Sequence, residues 1–185
     1  MPLIIVGGQA KDVGKTTLVC NIIATFPQSR WTAVKFTSHS HLPENSQPLV
    51  QTRDYAIWQQ SSPGSESDTA RYLSAGAERA LLIQVSEGRL KEACLAVQQD
   101  VSLGDSVLAE SSGAAKFLSP DLYLMLLDSA KADFKDSARE IEHVDGVVSK
   151  EARGPAGSKP SYRYMRDGLD PALSAVVANV LAGRR

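Results

Sequence analysis

Apolar residues recur along the chain in two periods. Solid runs at Leu3 to Val6, Trp31 to Phe36, Ala80 to Val85, Ser106 to Ala109, Asp121 to Leu127 and Val144 to Val148 have the length and composition of buried strands. Between them, Val19, Ile22, Ile23 and Phe26 fall at i, i+3, i+4 and i+7, as do Leu90, Ala93, Cys94 and Val97. Leu173, Val176, Val177 and Val180 repeat the pattern near the end. Each set is one stripe of a helix that covers a sheet. Pro27 stops the first helix, and Asp170 caps the last with Pro171 at its first position. Ser65 to Asp68 supplies the start of a further helix, which runs from Asp68 to about Ala75 and ends at Gly76. Strands alternating with helices in this order predict an α/β fold, a mostly parallel sheet with helices on both faces and right-handed crossovers.

Two stretches interrupt the pattern. From about residue 37 to 67 the chain turns polar, rich in Ser, Pro and Gln, and only Asp54 to Gln59 suggests an edge strand or hairpin arm. A connection this long in a small domain is commonly functional, so it is expected to be a lid or partner surface. Glu151 to Pro160 reads as an exposed loop and Ser161 to Met165 as a short strand.

A chain of 185 residues with 43% hydrophobic content suits one domain with one core, taken as residues 1–185. A formal charge of -1 argues against a broad nucleic-acid-binding face. No stretch of 18 uncharged apolar residues occurs, and the opening apolar run is too short for a signal peptide, so no membrane association and a cytoplasmic location are expected. Cys20 and Cys94 lie within helical apolar patterns, with no metal-type spacing, and read as small core residues of a reducing compartment.

The first strand delivers the chain into GGQAKDVGKTT, Gly7 to Thr17, directly ahead of the first helix. Such a turn can surround phosphate oxygens with backbone N–H groups and the positive end of the helix. Gly8, Asp12, Val13, Gly14, Lys15, Thr16 and Thr17 form the expected nucleotide-binding loop. Lys15 would contact the outer phosphates, and the Thr16 hydroxyl would ligate Mg2+. The usual glycine at position 9 is Gln9, so either the first glycine is replaced or the loop counts from Gly8 and is one residue longer.

Glycine loop and parallel sheet together resemble the P-loop NTPases of the class that includes signal-recognition GTPases, MinD and small biosynthetic ligases. That resemblance implies a three-layer fold. Three stretches are similar to molybdopterin-guanine dinucleotide biosynthesis protein B, MobB: VKFTSHSH (Val34 to His41), SDTARYLSAGA (Ser67 to Ala77) and VLAESSG (Val107 to Gly113). They stand in the family's order and, with the loop, span about two thirds of the chain. Gln9 and Asp12 replace glycines of the family's loop. Counted from Gly8, the loop instead looks like that of dethiobiotin synthetase, an ATP-dependent ligase that needs a lysine after the second strand, a place Lys35 could fill.

The resemblance implies GTP or ATP with Mg2+, slow hydrolysis, and a partner that is the molybdopterin cofactor or a cofactor-biosynthesis protein; dimers across the nucleotide site are common in the class. It implies catalytic roles for Lys15, Glu110 and Asp68, with Thr16, Glu110 and Asp68 around the metal. Glu110 would hold the metal directly or through water, or orient an attacking water. Asp68 could equally be a plain helix cap. Ser149 and Lys150 stand where the first two residues of the guanine-reading N-K-x-D signature would, though its aspartate is Ala152 here. His39 and His41 are candidates for phosphate or substrate contact, with too few neighbours for zinc. Arg53 and Arg71 could meet an anionic substrate, and Tyr55 and Trp58 could either pack the insertion down or stack on a pterin or base.

Overall fold

Nine strands form a single sheet in the computed structural model, which describes residues 1–38, 44–64, 67–100, 104–131, 143–150 and 159–183. The order along the chain is β1 (Leu3–Gly8), α1 (Lys15–Thr25), β2 (Trp31–Thr37), β3 (Ser46–Gln51), β4 (Tyr55–Gln60), α2 (Asp68–Ser74), β5 (Arg79–Val85), α3 (Leu90–Asp100), β6 (Ser106–Glu110), β7 (Leu122–Leu127), β8 (Gly146–Ser149), β9 (Ser161–Arg163) and α4 (Pro171–Leu181). Across the sheet the order is β3-β4-β5-β2-β6-β1-β7-β8-β9. From β5 to β9 every pairing is parallel, while β4 runs antiparallel to β5 and β3 antiparallel to β4.

Alternation along the central strands divides their side chains between two cores, because successive residues point to opposite faces. Ile4, Val6, Leu108, Leu122, Leu124 and Val148 pack with α1, α2 and α4 through Val19, Ile22, Ile23, Tyr72, Leu173 and Val177. Ile5, Val107, Ala109, Tyr123, Met125 and Val147 pack on the other face, with α3 through Ala93, Cys94, Ala96 and Val97. Three layers result, and the helical stripes expected from the sequence are the faces that make them. Burial pushes the Cys94 thiol up to about 12, as suits a core residue, whereas Cys20 is only half-buried.

The stretch expected to be irregular between 37 and 67 departs most from the sequence reading. Ser46–Gln51 and Tyr55–Gln60 form a hairpin that extends the sheet beyond β5. Trp58 and Tyr55 pack within this hairpin: Trp58 is buried and donates from Nε1 to Gln84 Oε1 at 2.8 Å, and Tyr55 lies against the α3-side core. Pro48 is tolerated in β3 because that strand is the sheet edge, where a missing N–H costs no ladder bond. His39, His41 and Ala152 lie outside the described residues, as does most of the expected loop 151–160.

Among the described residues no helix is long and apolar enough to cross a membrane.

Candidate functional site

β1, β2 and β6 are neighbours, and their carboxyl ends meet beneath the glycine loop, where open parallel sheets bind ligands. The loop is drawn tight at two glycines. A Cβ on Gly8 would stand 2.8 Å from both Lys15 Cδ and Val13 Cγ2, so any side chain there would displace the lysine stem. Gly14 has φ +108°, and a Cβ there would come within 2.6 Å of the Tyr164 hydroxyl.

Gln9 is a brace. Its buried side chain accepts from Asp128 N at 3.0 Å and donates to Lys131 O at 2.7 Å, tying the loop to the end of β7. Ser112 braces the other side, accepting from Gly8 N at 3.1 Å and lying 3.0 Å from Gly8 O as donor. Helix α1 starts at Lys15 with Gly14 as its N-cap, no side-chain cap and no acidic residue in its first turn, so its positive end faces the loop. Lys15 Nζ donates to Ala10 O at 3.0 Å, curled over the loop it would serve.

A cleft of about 570 Å3 opens over this loop, lined among others by Lys15, Thr16, Lys35, Asp68, Arg71 and Glu110. Glu110 is its buried centre, 4% exposed. Its Oε2 accepts from Thr16 Oγ1 at 2.8 Å and from the Tyr72 hydroxyl at 2.5 Å, and its Oε1 accepts from Lys35 Nζ at 3.1 Å. Lys35 also donates to Asp68. Burial pulls the Lys35 pKa down, but the facing carboxylates of Glu110 and Asp68 outweigh it and leave the ammonium above 10.5. Burial, reinforced by the Glu110 charge, holds the Tyr72 phenol well above 10, so it remains a donor.

Of the residues expected at the site, Asp12, Gly14, Lys15, Thr16, Thr17, Asp68 and Glu110 line one cleft and Gly8 underlies it. Val13 is buried instead, packed in the core beneath the loop. Asp68 is not the helix cap: Ser67 accepts from Ala70 N in that role, and Asp68 turns to Lys35. Arg71 also reaches the cleft, 3.4 Å from Thr17 Oγ1, whereas Arg53 is exposed between β3 and β4. Ser149 and Lys150 are not part of this cleft. Lys150 pairs with Asp128 at 2.7 Å and stands 5.8 Å from the ring centre of Tyr164, on the β7–β9 side of the loop.

Tyr72, Ser112 and Tyr164 were not singled out by the sequence, and Gln9 was noted only as a departure from the loop pattern. Gln9 occupies a position where glycine was expected, and the tyrosines carry no motif.

A hydroxyl and a carboxylate in contact are a hard-oxygen donor set of the kind that suits Mg2+, which takes few protein ligands and keeps several waters. Among the described residues no group of three or more His, Cys, Asp or Glu could hold a metal, so a site built only from such side chains is not found there.

No family model matches the chain, and no curated protein matches it in sequence. Solved structures similar in fold include the following three. LpxK from Aquifex aeolicus, an "apo" form in complex with ATP, is 17% identical with a TM-score of 0.54, over 88% of this chain and 53% of LpxK. The chain thus spans about half of the length of LpxK. The MobB protein homolog from Bacillus stearothermophilus is 18% identical, with a TM-score of 0.49 and the whole of both chains covered. Chloroplast FtsY from Physcomitrella patens is 16% identical, with a TM-score of 0.48, over 97% of this chain and 65% of FtsY. The likeness to LpxK is one of fold, the three-layer α/β architecture described above.

Proposed function

We propose that this chain is a P-loop nucleotide-binding protein that takes GTP or ATP with Mg2+, hydrolyses it slowly, and serves molybdenum-cofactor maturation as a MobB-like protein. The observation that carries the nucleotide reading is the convergence of Lys15, Thr16 and Glu110 on one cleft above a loop pinched at Gly8 and Gly14. The cofactor-maturation role rests on the three sequence stretches similar to MobB. In that role the partner is the molybdopterin cofactor or a cofactor-biosynthesis protein, the location is cytoplasmic, and two copies pair across the nucleotide site.

Phosphoryl transfer asks a protein chiefly for positioning and charge neutralisation. Lys15, swung from Ala10 O, meets the outer phosphates, and the loop amides and the start of α1 hold their oxygens. Thr16 and Glu110, with Asp68 beside them on α2, would hold Mg2+, which would supply charge neutralisation at the phosphate oxygens. Glu110 would act on the metal directly or through water, or would orient the attacking water. Lys35 adds a second positive charge at the cleft, already balanced by Asp68 and Glu110, which fits slow turnover without a partner.

One observation favours a second reading, a dethiobiotin-synthetase-like ligase: Lys35 stands in the cleft near the carboxyl end of β2. The experiment is a phosphate-release assay with GTP and ATP, with and without molybdopterin, beside a product assay with a diamine, bicarbonate and ATP. Slow release that rises with the cofactor supports the first reading. A carboxylated product supports the second, and nucleotide binding without turnover in either assay marks a non-catalytic adaptor.

A further inference from the structure

Glu110 is gripped by a residue with no place in the nucleotide motif. Tyr72 lies on α2, fully buried, and the ring alone would serve the core it packs in. Its hydroxyl nonetheless reaches into the polar centre of the cleft and donates to Glu110 Oε2 at 2.5 Å, the same oxygen that accepts from Thr16. Asp68, one helical turn earlier on the same face of α2, holds Lys35, whose other partner is Glu110 Oε1. Tyr72, Glu110, Lys35 and Asp68 thereby form a chain of four side chains, supplied by α2, β6 and β2, that starts and ends on α2.

A glutamate has three rotatable side-chain bonds, and an oxygen that accepts from one donor can swing while keeping that bond. Two donors from different helices, α1 and α2, fix the plane of the carboxylate instead. From this arrangement we infer that Tyr72 is a positioning residue for the metal end of the cleft, setting the Glu110 carboxylate at the angle in which it and Thr16 act on one ion. Residues that orient a metal's ligands alter metal affinity more than they alter folding. The inference rests on the reading of the cleft as a Mg2+–nucleotide site.

Tyr72→Phe keeps the ring and its packing and removes only the donor. Its test is binding of fluorescently labelled GTP and ATP, read by fluorescence while Mg2+ is titrated, with thermal unfolding followed on the same samples. The expected result is a Mg2+ midpoint raised by about tenfold in Tyr72→Phe. In a Glu110→Gln background the same substitution leaves the midpoint where Glu110→Gln alone put it. An unchanged Mg2+ midpoint in Tyr72→Phe, with or without a lower melting temperature, overturns the inference by assigning the hydroxyl to the fold alone. A shift that persists in the Glu110→Gln background overturns it as well. If wild type binds neither nucleotide at any Mg2+ concentration, the nucleotide reading itself fails. If wild type binds in a Mg2+-dependent way and Tyr72→Phe matches it, only the role of Tyr72 fails.

Discussion

Gln9 Oε1 accepts the backbone N–H of Asp128 across 3.0 Å, joining residues 119 apart, so the side chain that replaces a loop glycine binds the loop to the end of β7. Gln9→Ala leaves that buried N–H without its partner and also frees Lys131 O. An unsatisfied buried group costs about 1–3 kcal/mol. The expected outcome is an unfolding free energy, from urea titration, lower by that amount, together with weaker binding of labelled nucleotide as the loop loses its brace.

Gly14 is constrained twice, by φ +108° and by the Tyr164 hydroxyl lying 2.6 Å from where a Cβ would stand. Gly14→Ala is expected to destabilise the fold by about 1–3 kcal/mol through backbone strain. The collision with Tyr164 adds to that and shifts the start of α1, so titration with labelled nucleotide should show binding largely lost.

Glu110 takes three donors, and removing it separates binding from turnover. In Glu110→Ala the loop, Lys15 and the start of α1 remain to hold phosphates, so labelled nucleotide still binds. Phosphate release falls on the order of a hundredfold or more. A variant that hydrolyses at the wild-type rate would remove Glu110 from the chemistry.

The pair Lys150–Asp128 sets an acid-side dependence of stability. Its hydrogen bond from Lys150 lowers the Asp128 carboxyl below its ordinary 3.8. A lowered carboxyl contributes stability that is present above the unfolded value and lost as pH falls through the folded one. Lys150→Met should therefore be less stable than wild type at neutral pH. The two should converge as pH drops below about 3.8, which unfolding midpoints measured from pH 7 to pH 2 would check.

The central fold was legible because its signals are periodic. The α1 stripe of Val19, Ile22 and Ile23 and the unbroken apolar run of β7 report burial directly, and GKTT after an apolar strand marks the loop. Of the β3–β4 hairpin only the β4 arm, Asp54 to Gln59, was; β3 was not, because SQPLVQ is an exposed edge strand with a proline and lacks the apolar run of a central strand. At the site, the cleft residues carried by motifs were found. Lys35 had been raised only as the counterpart of a ligase lysine, and its ion pairs with Asp68 and Glu110 depend on strand register, since Lys35 and Glu110 are directly paired across β2 and β6. Tyr72 and Tyr164 escaped notice because a tyrosine in a helix stripe or after a short strand reads as packing until its hydroxyl is located. Ser149 and Lys150 were expected with the nucleotide from their place after a strand; they lie at the end of β8, where Lys150 pairs with Asp128.

Titration of labelled GTP and ATP, with Mg2+, against wild type and Lys15→Ala tests the nucleotide assignment most directly. The account predicts that wild type binds at least one of the two and that Lys15→Ala weakens that binding by about tenfold or more, the loss of one charged contact to phosphate. Equal binding by wild type and Lys15→Ala would contradict it, as would no binding by either.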